Sequence, residues 1–210
     1  MIEITDDFLP MKEFSDLAQT MMSNQFPWVF SPYVTYVPGQ EEYDPEKEHF
    51  QFNHSFYKDY SFQSPYTSVI WPCLEKLYAL AICGIKANLQ TQTKEHFPSR
   101  FHIDIGVKVD SEKVSALTTG ILYINPNNGW TEFEDGTKVE SVPNRFVKFP
   151  ANTQHKGYTC TDEKARILIN FNYYEAKEIV QEGNEIRYHQ RKQMMEEGTR
   201  QLQNQRMGLQ

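Results

Sequence analysis

Apolar residues recur at helical spacing in two stretches near the start of the chain. In the first, from about residue 11 to 23, they fall at intervals of three and four, which predicts an amphipathic helix packed on a core. A second helix is predicted from residue 68 to 80, with Pro72 in its first turn, where proline is tolerated. Ile2 and Ile4 predict a short strand ahead of both helices. The two apolar stripes consist of Phe14, Leu17, Met21 and Met22, and of Ile70, Leu74, Leu77 and Tyr78.

From residue 81 onward the pattern changes to short stretches in which apolar and polar residues alternate. Alternation with a period of two predicts β-strands, and the pairs Asn128-Gly129 and Asp135-Gly136 predict tight hairpin turns through positive φ. Eight short strands separated by such turns predict a mainly β fold with flanking helices, built on a double-stranded β-helix, or jelly roll. The predicted strands are 83–90, 100–107, 117–125, 130–134, 137–142, 145–149, 153–159 and 165–173.

The change of pattern divides a single predicted domain into three parts. Residues 1–80 form an N-terminal support region of helices and a strand, and residues 81–174 form the jelly-roll core that carries the candidate site. Residues 175–210 form a C-terminal helix and tail, with Ile179, Val180 and Ile186 partly covering the sheet. Residues 31–64, rich in tyrosine and phenylalanine, are predicted as a loop. The loop is either a lid or substrate wall, or aromatic packing over the open sheet.

Composition and charge narrow the class of protein. A net charge of −7 and a pI near 5.4 supply no general attraction to phosphate backbones, so nucleic acid is a less favoured partner. No apolar run approaches the roughly 18 residues of a membrane span, and no secretory signal begins the chain. We therefore expect a cytoplasmic protein without a membrane partner. Cys73, Cys83 and Cys160 are odd in number and widely spaced, which argues against disulfides or a cysteine zinc site.

The segment 100–106 contains the first candidate chemistry. If it is a strand, its period of two puts His102 and Asp104 on one face. By itself this pair is weak evidence, because a surface strand also alternates and a His-x-Asp spacing arises by chance. A second histidine, His155, lies in another predicted strand 51 residues after Asp104. Two imidazoles and one carboxylate on one side of a metal are typical of a non-haem Fe(II) site.

Arg166 strengthens this interpretation, because an arginine on a buried strand is rare without an anion to pair with. A guanidinium binds a carboxylate in bidentate fashion, and the carboxylate of a keto acid would complete the site.

With these residues in order, the chain resembles the Fe(II)- and 2-oxoglutarate-dependent oxygenases, in particular the prolyl-hydroxylase-like branch and its small phage-encoded members. The resemblance covers nearly the whole chain. Its order of His-x-Asp, tyrosine strand, second histidine and arginine is more specific than any one motif. The matching segments are residues 7–10, 26–28, 100–104, 123–129, 144–150, 155–157 and 166–173.

The resemblance implies roles for individual residues. His102, Asp104 and His155 would be the catalytic metal ligands, and Arg166 and Tyr123 would bind the distal carboxylate of 2-oxoglutarate. Two weaker candidates for contacting 2-oxoglutarate are Asn88 and Asn170. For both, an equally weighted alternative is a buried amide that satisfies the backbone.

The implied activity is that of a dioxygenase. It would use Fe(II), O2 and 2-oxoglutarate, with ascorbate as an optional cofactor, to hydroxylate an unidentified substrate and give succinate and CO2. The substrate would be a peptide, through a prolyl residue, or a small molecule, and a phage-encoded member would act in the host cytoplasm. The sequence does not predict the oligomeric state. Two alternatives are a cupin-type metal-binding jelly roll, although no His-x-His occurs, and a non-catalytic module of the same fold.

Overall fold

Antiparallel hydrogen bonding arranges the chain into two sheets. A computed structural model describes residues 1–35, 38–41, 44, 48–104, 116–176 and 197. Within them lie helices α1 (Met11–Met21) and α2 (Trp71–Leu77), a 3-10 helix at Thr67–Ile70 and eleven strands. The strands are β1 (Glu3–Thr5), β2 (Val29–Ser31), β3 (Gln51–Lys58), β4 (Ser61–Phe62), β5 (Ala79–Thr91), β6 (Thr118–Tyr123), β7 (Trp130–Phe133), β8 (Lys138–Glu140), β9 (Phe146–Pro150), β10 (His155–Gly157) and β11 (Ala165–Glu175).

The large sheet has the strand order β1-β9-β6-β11-β5-β3-β2, with β4 paired to β3, and the small sheet has the order β10-β7-β8. Every pairing between these strands is antiparallel. The long strand β11 lies in the middle of the large sheet, between β5 and β6. The predicted fold class, mainly β with flanking helices, is confirmed.

The alternation along β11 explains how one sheet serves both a core and a site. Ile167, Ile169 and Phe171 belong to the main hydrophobic cluster together with both helices. Successive side chains of a strand point to opposite faces, so Arg166 and Asn170 face the other side. There the small sheet and the large sheet enclose a second cluster, which includes Phe133, Val139, Val147, Phe149 and Leu168. The polar residues of β11 therefore face the space between the two sheets.

Most of the predicted elements are present. Helix α1 begins at residue 11 as expected, and strands are found at seven of the eight predicted positions. The second predicted helix is divided into a 3-10 helix and α2, which ends at Leu77 because Tyr78 takes a left-handed φ of 47°. The prediction of a strand at 100–107 is wrong for residues 100–104, where a single bridge from His102 to His155 is the only pairing of these residues with the rest of the described chain.

The prediction of a loop over residues 31–64 is wrong for residues 51–58. These form β3, which pairs with β2 on one side and with β5 on the other. The sequence pattern did not predict strand β3, because a β-bulge between Ser55 and Tyr57 interrupts its period of two. Beside it, Phe30, Phe50 and Phe52 pack against one another with ring centroids 5.7 to 6.2 Å apart.

The remaining expectations concern the ends of the chain and its cysteines. The predicted tail helix, with Ile179, Val180 and Ile186, lies outside the described residues, and the three-part division stays a prediction. Cys73, Cys83 and Cys160 are all free thiols. Across the described ranges, we find no helix with the length and apolar character needed to cross a membrane.

Asn144 attaches the N-terminal segment to the large sheet. Its side chain accepts a hydrogen bond from the backbone N–H of Leu9 at 2.9 Å and donates one to the carbonyl of Leu9 at 2.8 Å. Asn144 is 2% exposed and has a φ of 61°, a conformation that asparagine tolerates better than most residues. The adjacent Phe8 and Phe146 rings stack at 4.4 Å. This one residue therefore combines a special backbone conformation with two buried hydrogen bonds.

We expect Asn144→Ala to lower the free energy of unfolding by about 2–4 kcal/mol. The substitution leaves two buried backbone groups of Leu9 without partners and puts a Cβ-bearing residue without a local hydrogen bond in the left-handed region. Asn144→Gly should recover about 1 kcal/mol of this loss, because glycine adopts that φ freely. Urea unfolding measures both variants. Equal stability of the alanine and glycine variants would contradict the backbone contribution.

Candidate metal centre

A single backbone bridge aligns two histidines. The N–H of His102 donates to the carbonyl of His155 at 3.0 Å, and the N–H of His155 donates back to the carbonyl of His102 at 3.0 Å. Two residues paired in this way project their side chains from the same face, and the two ring centroids lie 4.8 Å apart. Asp104 follows two residues after His102. One ligand atom from each of the three side chains lies within 4.8 Å of the other two.

Hydrogen bonds to the backbone orient both imidazoles. Nδ1 of His102 lies 2.8 Å from the carbonyl of Arg100, and Nδ1 of His155 lies 3.1 Å from the carbonyl of Thr153. A carbonyl only accepts, so each Nδ1 carries a proton, and the lone pair of a neutral ring then lies on Nε2. The two Nε2 atoms lie 3.7 and 3.9 Å from Oδ1 of Asp104. Both lone pairs are therefore available on the side of the carboxylate.

The third side chain is oriented by β11. Nδ2 of Asn170 donates to Oδ2 of Asp104 at 2.9 Å, which leaves Oδ1 towards the histidines. Burial and the neighbouring His155 both disfavour a charged ring, and together they lower the pKa of His102 to about 4. The His102 ring is therefore neutral at pH 7, as a metal ligand must be.

The donor set fits a divalent first-row transition metal. Two imidazoles and one carboxylate on one side, each oriented by a hydrogen bond from a second residue, are the pattern of metal sites with open coordination positions. The structure thus brings together the three predicted ligands. Their binding of a metal remains a proposal.

Arg166 is a buried cation among neutral partners. Its side chain is 2% exposed, and its nitrogens donate to Oγ of Ser141 at 2.8 Å, Oε1 of Gln90 at 3.1 Å and Oγ1 of Thr131 at 3.0 Å. The guanidinium carbon lies 5.5 Å from the ring centroid of Tyr123. Within the described part of the chain, no carboxylate forms an ion pair with it, and burial lowers its pKa. An uncompensated buried charge is costly, so the site favours an anionic ligand.

Two glycines leave room for this side chain. A Cβ on Gly129 would lie 2.7 Å from Cδ of Arg166 and 2.7 Å from the carbonyl oxygen of Tyr158. A Cβ on Gly157 would lie 3.2 Å from Nη1 of Arg166. Gly136 has the predicted positive φ, at 84°. Gly129 does not have a positive φ, so the prediction of a turn with positive φ at Asn128-Gly129 is wrong. Gly129 provides space for Arg166 and not a positive φ.

Tyr123 lies behind Arg166. Its buried hydroxyl donates to Oγ1 of Thr131 at 2.8 Å, and burial raises its pKa, so the hydroxyl stays protonated. Asn88 and Asn170 line the cavity directly. The side-chain carbonyl oxygens of both asparagines are buried without a hydrogen-bond partner among the described residues, which leaves two acceptors for a ligand or water.

One cavity between the sheets contains both the histidine cluster and Arg166. The sequence did not single out Gln90, Thr131 or Ser141, although Gln90 shares a strand face with Asn88 and alternation could have indicated it. The cavity is lined by Val34, Gln51, Lys86, Asn88, Gln90, Ser99, His102, Asp104, Ile121, Thr131, His155, Gly157, Arg166, Leu168 and Asn170.

The protein was compared with known families, curated proteins and solved structures. No protein-family model and no curated protein matches the sequence. A Trichoplax adhaerens prolyl hydroxylase, solved with a peptide fragment of the hypoxia inducible factor oxygen degradation domain, is 13% identical over 83% of each chain, with a TM-score of 0.52. The carbocyclase SnoK from nogalamycin biosynthesis, a non-haem alpha ketoglutarate dependent enzyme, is 13% identical over 89% of this chain and 85% of its own, with a TM-score of 0.55.

A third similar structure contains ligands. The epimerase SnoN in complex with Fe3+, alpha ketoglutarate and nogalamycin RO is 10% identical over 83% of this chain and 79% of its own, with a TM-score of 0.52. At these identities the similarity establishes the fold. The predicted jelly roll is confirmed.

We expect the purified protein to bind one Mn(II) per chain and His102→Ala or His155→Ala to weaken that binding by more than about 100-fold. Asn170 only orients a ligand, and loss of such a residue typically weakens metal binding roughly 10- to 100-fold, which we expect for Asn170→Ala. Removal of a ligand itself should weaken metal binding more. His96→Ala removes a histidine outside the cluster and is the control. Electron paramagnetic resonance of free Mn(II) measures the affinities. Unchanged binding in both ligand variants would place the metal elsewhere.

Proposed function

We propose that the protein is an Fe(II)- and 2-oxoglutarate-dependent dioxygenase that hydroxylates its substrate. The observation that carries the proposal is the buried Arg166, which lacks a carboxylate partner among the described residues and faces the same cavity as the His102, Asp104 and His155 cluster. A metal site alone would fit many proteins. A metal site and an unpaired buried cation in one cavity fit a ligand that chelates a metal at one end and carries a carboxylate at the other.

The three side chains of the cluster would hold Fe(II) through Nε2 of His102, Nε2 of His155 and Oδ1 of Asp104. Bound iron supplies the redox chemistry by which O2 converts 2-oxoglutarate to succinate and CO2 while one oxygen atom enters a C–H bond of the substrate. Each supporting hydrogen bond keeps a lone pair directed at the metal position, so the ligands need little rearrangement when the metal binds.

Arg166 has the right number of free donors for a carboxylate. A guanidinium has five N–H groups, and three of those of Arg166 are donated to Ser141, Gln90 and Thr131. Five minus three leaves two, one on each terminal nitrogen. One N–H from each terminal nitrogen can form the fork that binds a carboxylate in bidentate fashion. The neutral partners thus orient the guanidinium without neutralising its charge.

The similar structures support the proposed activity. SnoN was solved with Fe3+ and alpha ketoglutarate, and the Trichoplax adhaerens enzyme with a peptide. For this chain we propose a peptide, through a prolyl residue, or a small molecule as the substrate. The net charge of −7 makes nucleic acid less favoured. In a cupin-type or non-catalytic jelly roll the unpaired Arg166 would have no role, which favours the oxygenase.

The test is O2-dependent formation of succinate from 2-oxoglutarate by Fe(II)-loaded protein. Slow turnover without substrate is expected, and a screen of peptides and metabolites should find compounds that stimulate it. Zn(II)-loaded protein is the matched control, because zinc binds similar ligands but has no redox chemistry. Absence of both 2-oxoglutarate binding and succinate formation in Fe(II)-loaded protein would reject the proposal.

We expect Arg166→Ala to weaken 2-oxoglutarate binding to Mn(II)-loaded protein by about 1.5–3 kcal/mol, roughly 10- to 150-fold, because a charge-assisted hydrogen bond is lost. Metal affinity should stay within about twofold, since Arg166 is not a ligand. Arg145→Ala, which removes an arginine paired with Asp6 at 2.6 Å, is the control. Calorimetry measures the affinities and thermal melts the stability. A destabilised variant with unchanged 2-oxoglutarate affinity would show that Arg166 is structural.

A further inference from the structure

A second cleft opens beside the candidate metal centre. It has a volume of about 170 Å³ and shares Lys86, Asp104 and Asn170 with the first cavity. Its remaining walls come from neighbouring positions of β3, β5 and β11. They are Ser55, Tyr57, Lys58, Gly84, Ile85 and Asn172. A molecule in this cleft would therefore contact the metal centre from the side away from Arg166.

Two lysines give the cleft a positive charge. Lys58 and Lys86 are exposed, and neither ammonium group has a hydrogen-bond acceptor or an ion-pair partner in the described ranges. Of the side chains that line the cleft, Asp104 is the one acidic group, and its carboxylate belongs to the histidine cluster. The cleft thus contains unpaired cations in a chain whose net charge is −7.

The β-bulge in β3 places Lys58 there. Ser55 pairs with Lys86, and the register then shifts so that Tyr57 pairs with Ile85. The extra residue, Phe56, is fully buried in the main core. Without the bulge, Lys58 would face the core, because it lies three residues from Ser55 and a strand alternates with a period of two. The inserted residue returns Lys58 to the face of Lys86, and such reorientation is a known use of bulges next to active sites.

Lys86 and Arg166 occupy different backbone positions along the large sheet. Arg166 pairs with Gln90 and Asn170 pairs with Lys86, so four residues, or about 13 Å, separate the two positions. An anion bound by Lys86 would therefore lie at a different position along the sheet from a carboxylate bound by Arg166.

The floor between the lysines is open. Gly84 lies two residues from Lys86 on β5, and a Cβ built on it would meet nothing within 4 Å. Asn172 is opposite Gly84, and its side-chain oxygen already accepts a hydrogen bond from Thr119 at 2.8 Å. Ammonium groups above an open floor suit a compact anion, which a lysine binds as a point charge.

We propose that Lys58 and Lys86 bind an anionic group, a carboxylate or a phosphate, of a small-molecule substrate and thereby position its adjacent carbon at the metal centre. The term substrate rests on the proposed oxygenase function, whereas the anion site rests on the cleft alone. The inference selects, within the substrates proposed above, acidic small molecules over uncharged ones and over prolyl peptides.

The first test is a titration of Mn(II)-loaded protein, saturated with 2-oxoglutarate, with inorganic phosphate and separately with acetate. Calorimetry should detect at least one of them, and the tighter of the two identifies the group. The double variant Lys58→Ala/Lys86→Ala should weaken that anion about tenfold or more, and added salt should weaken it in wild type. Lys94→Ala removes an exposed lysine outside both cavities and should change the affinity less than about twofold.

Equal anion affinity in wild type and the double variant would overturn the inference. So would a loss of 2-oxoglutarate affinity in Lys86→Ala as large as in Arg166→Ala, because Lys86 would then belong to the co-substrate site. If wild-type protein binds no 2-oxoglutarate, the oxygenase proposal fails, but the anion titration without 2-oxoglutarate still decides for or against the lysine site.

The second test is turnover. Small phosphate monoesters and carboxylates are screened for stimulation of succinate formation. Each is paired with the uncharged alcohol of the same carbon skeleton. The charged member of a pair should stimulate, and Lys86→Glu should abolish that stimulation while its melting temperature stays near that of wild type. Stimulation by the uncharged members alone, or by a prolyl peptide with Lys86→Glu as effective as wild type, would refute the proposal.

Discussion

The burial of the Arg166 cation between two sheets is the constraint on which the site depends. Its neutral partners come from three separate places in the chain: Gln90 on β5, Thr131 on β7 and Ser141 just after β8. A buried charge without a carboxylate is tolerated only if each donor that cannot reach a ligand is satisfied by the protein. These hydrogen bonds therefore fix the distance between the large and small sheets at the end of the cavity where a carboxylate would bind.

The two histidines of the cluster are positioned by backbone hydrogen bonds. Residues 100–104 are not a regular strand, and the exchange of two backbone hydrogen bonds between His102 and His155 aligns the rings. Each ring is then oriented by a carbonyl two residues earlier in its own segment, at Arg100 or Thr153. The cluster depends on short-range backbone geometry, whereas Arg166 depends on side chains from distant strands. Asp104 is the exception among the ligands, because Nδ2 of Asn170 on β11 orients its carboxylate.

Alternation along single strands made much of this predictable from sequence. Arg166 and Asn170 share a face because they are four residues apart on one strand, and that holds for any register. The partners of Arg166 were not predictable in the same way, because Thr131 and Ser141 are ordinary polar residues whose role depends on which strands pair. Strand β3 was missed for a related reason, since a bulge conceals the period of two and only the pairing with β5 reveals it. Sequence patterns thus indicate faces, while register and bulges are properties of the assembled sheet.

The two positive positions, Arg166 on β11 and Lys86 on β5, differ in what they require of a ligand. At the Arg166 end the cation is already desolvated, so an anion gains a strong interaction without the cost of dehydrating its partner. At the Lys86 end the ammonium is exposed and screened by solvent and salt, so the same charge gains less. Under the proposed function, this difference in burial favours the co-substrate at Arg166 and leaves the exposed lysines for the substrate.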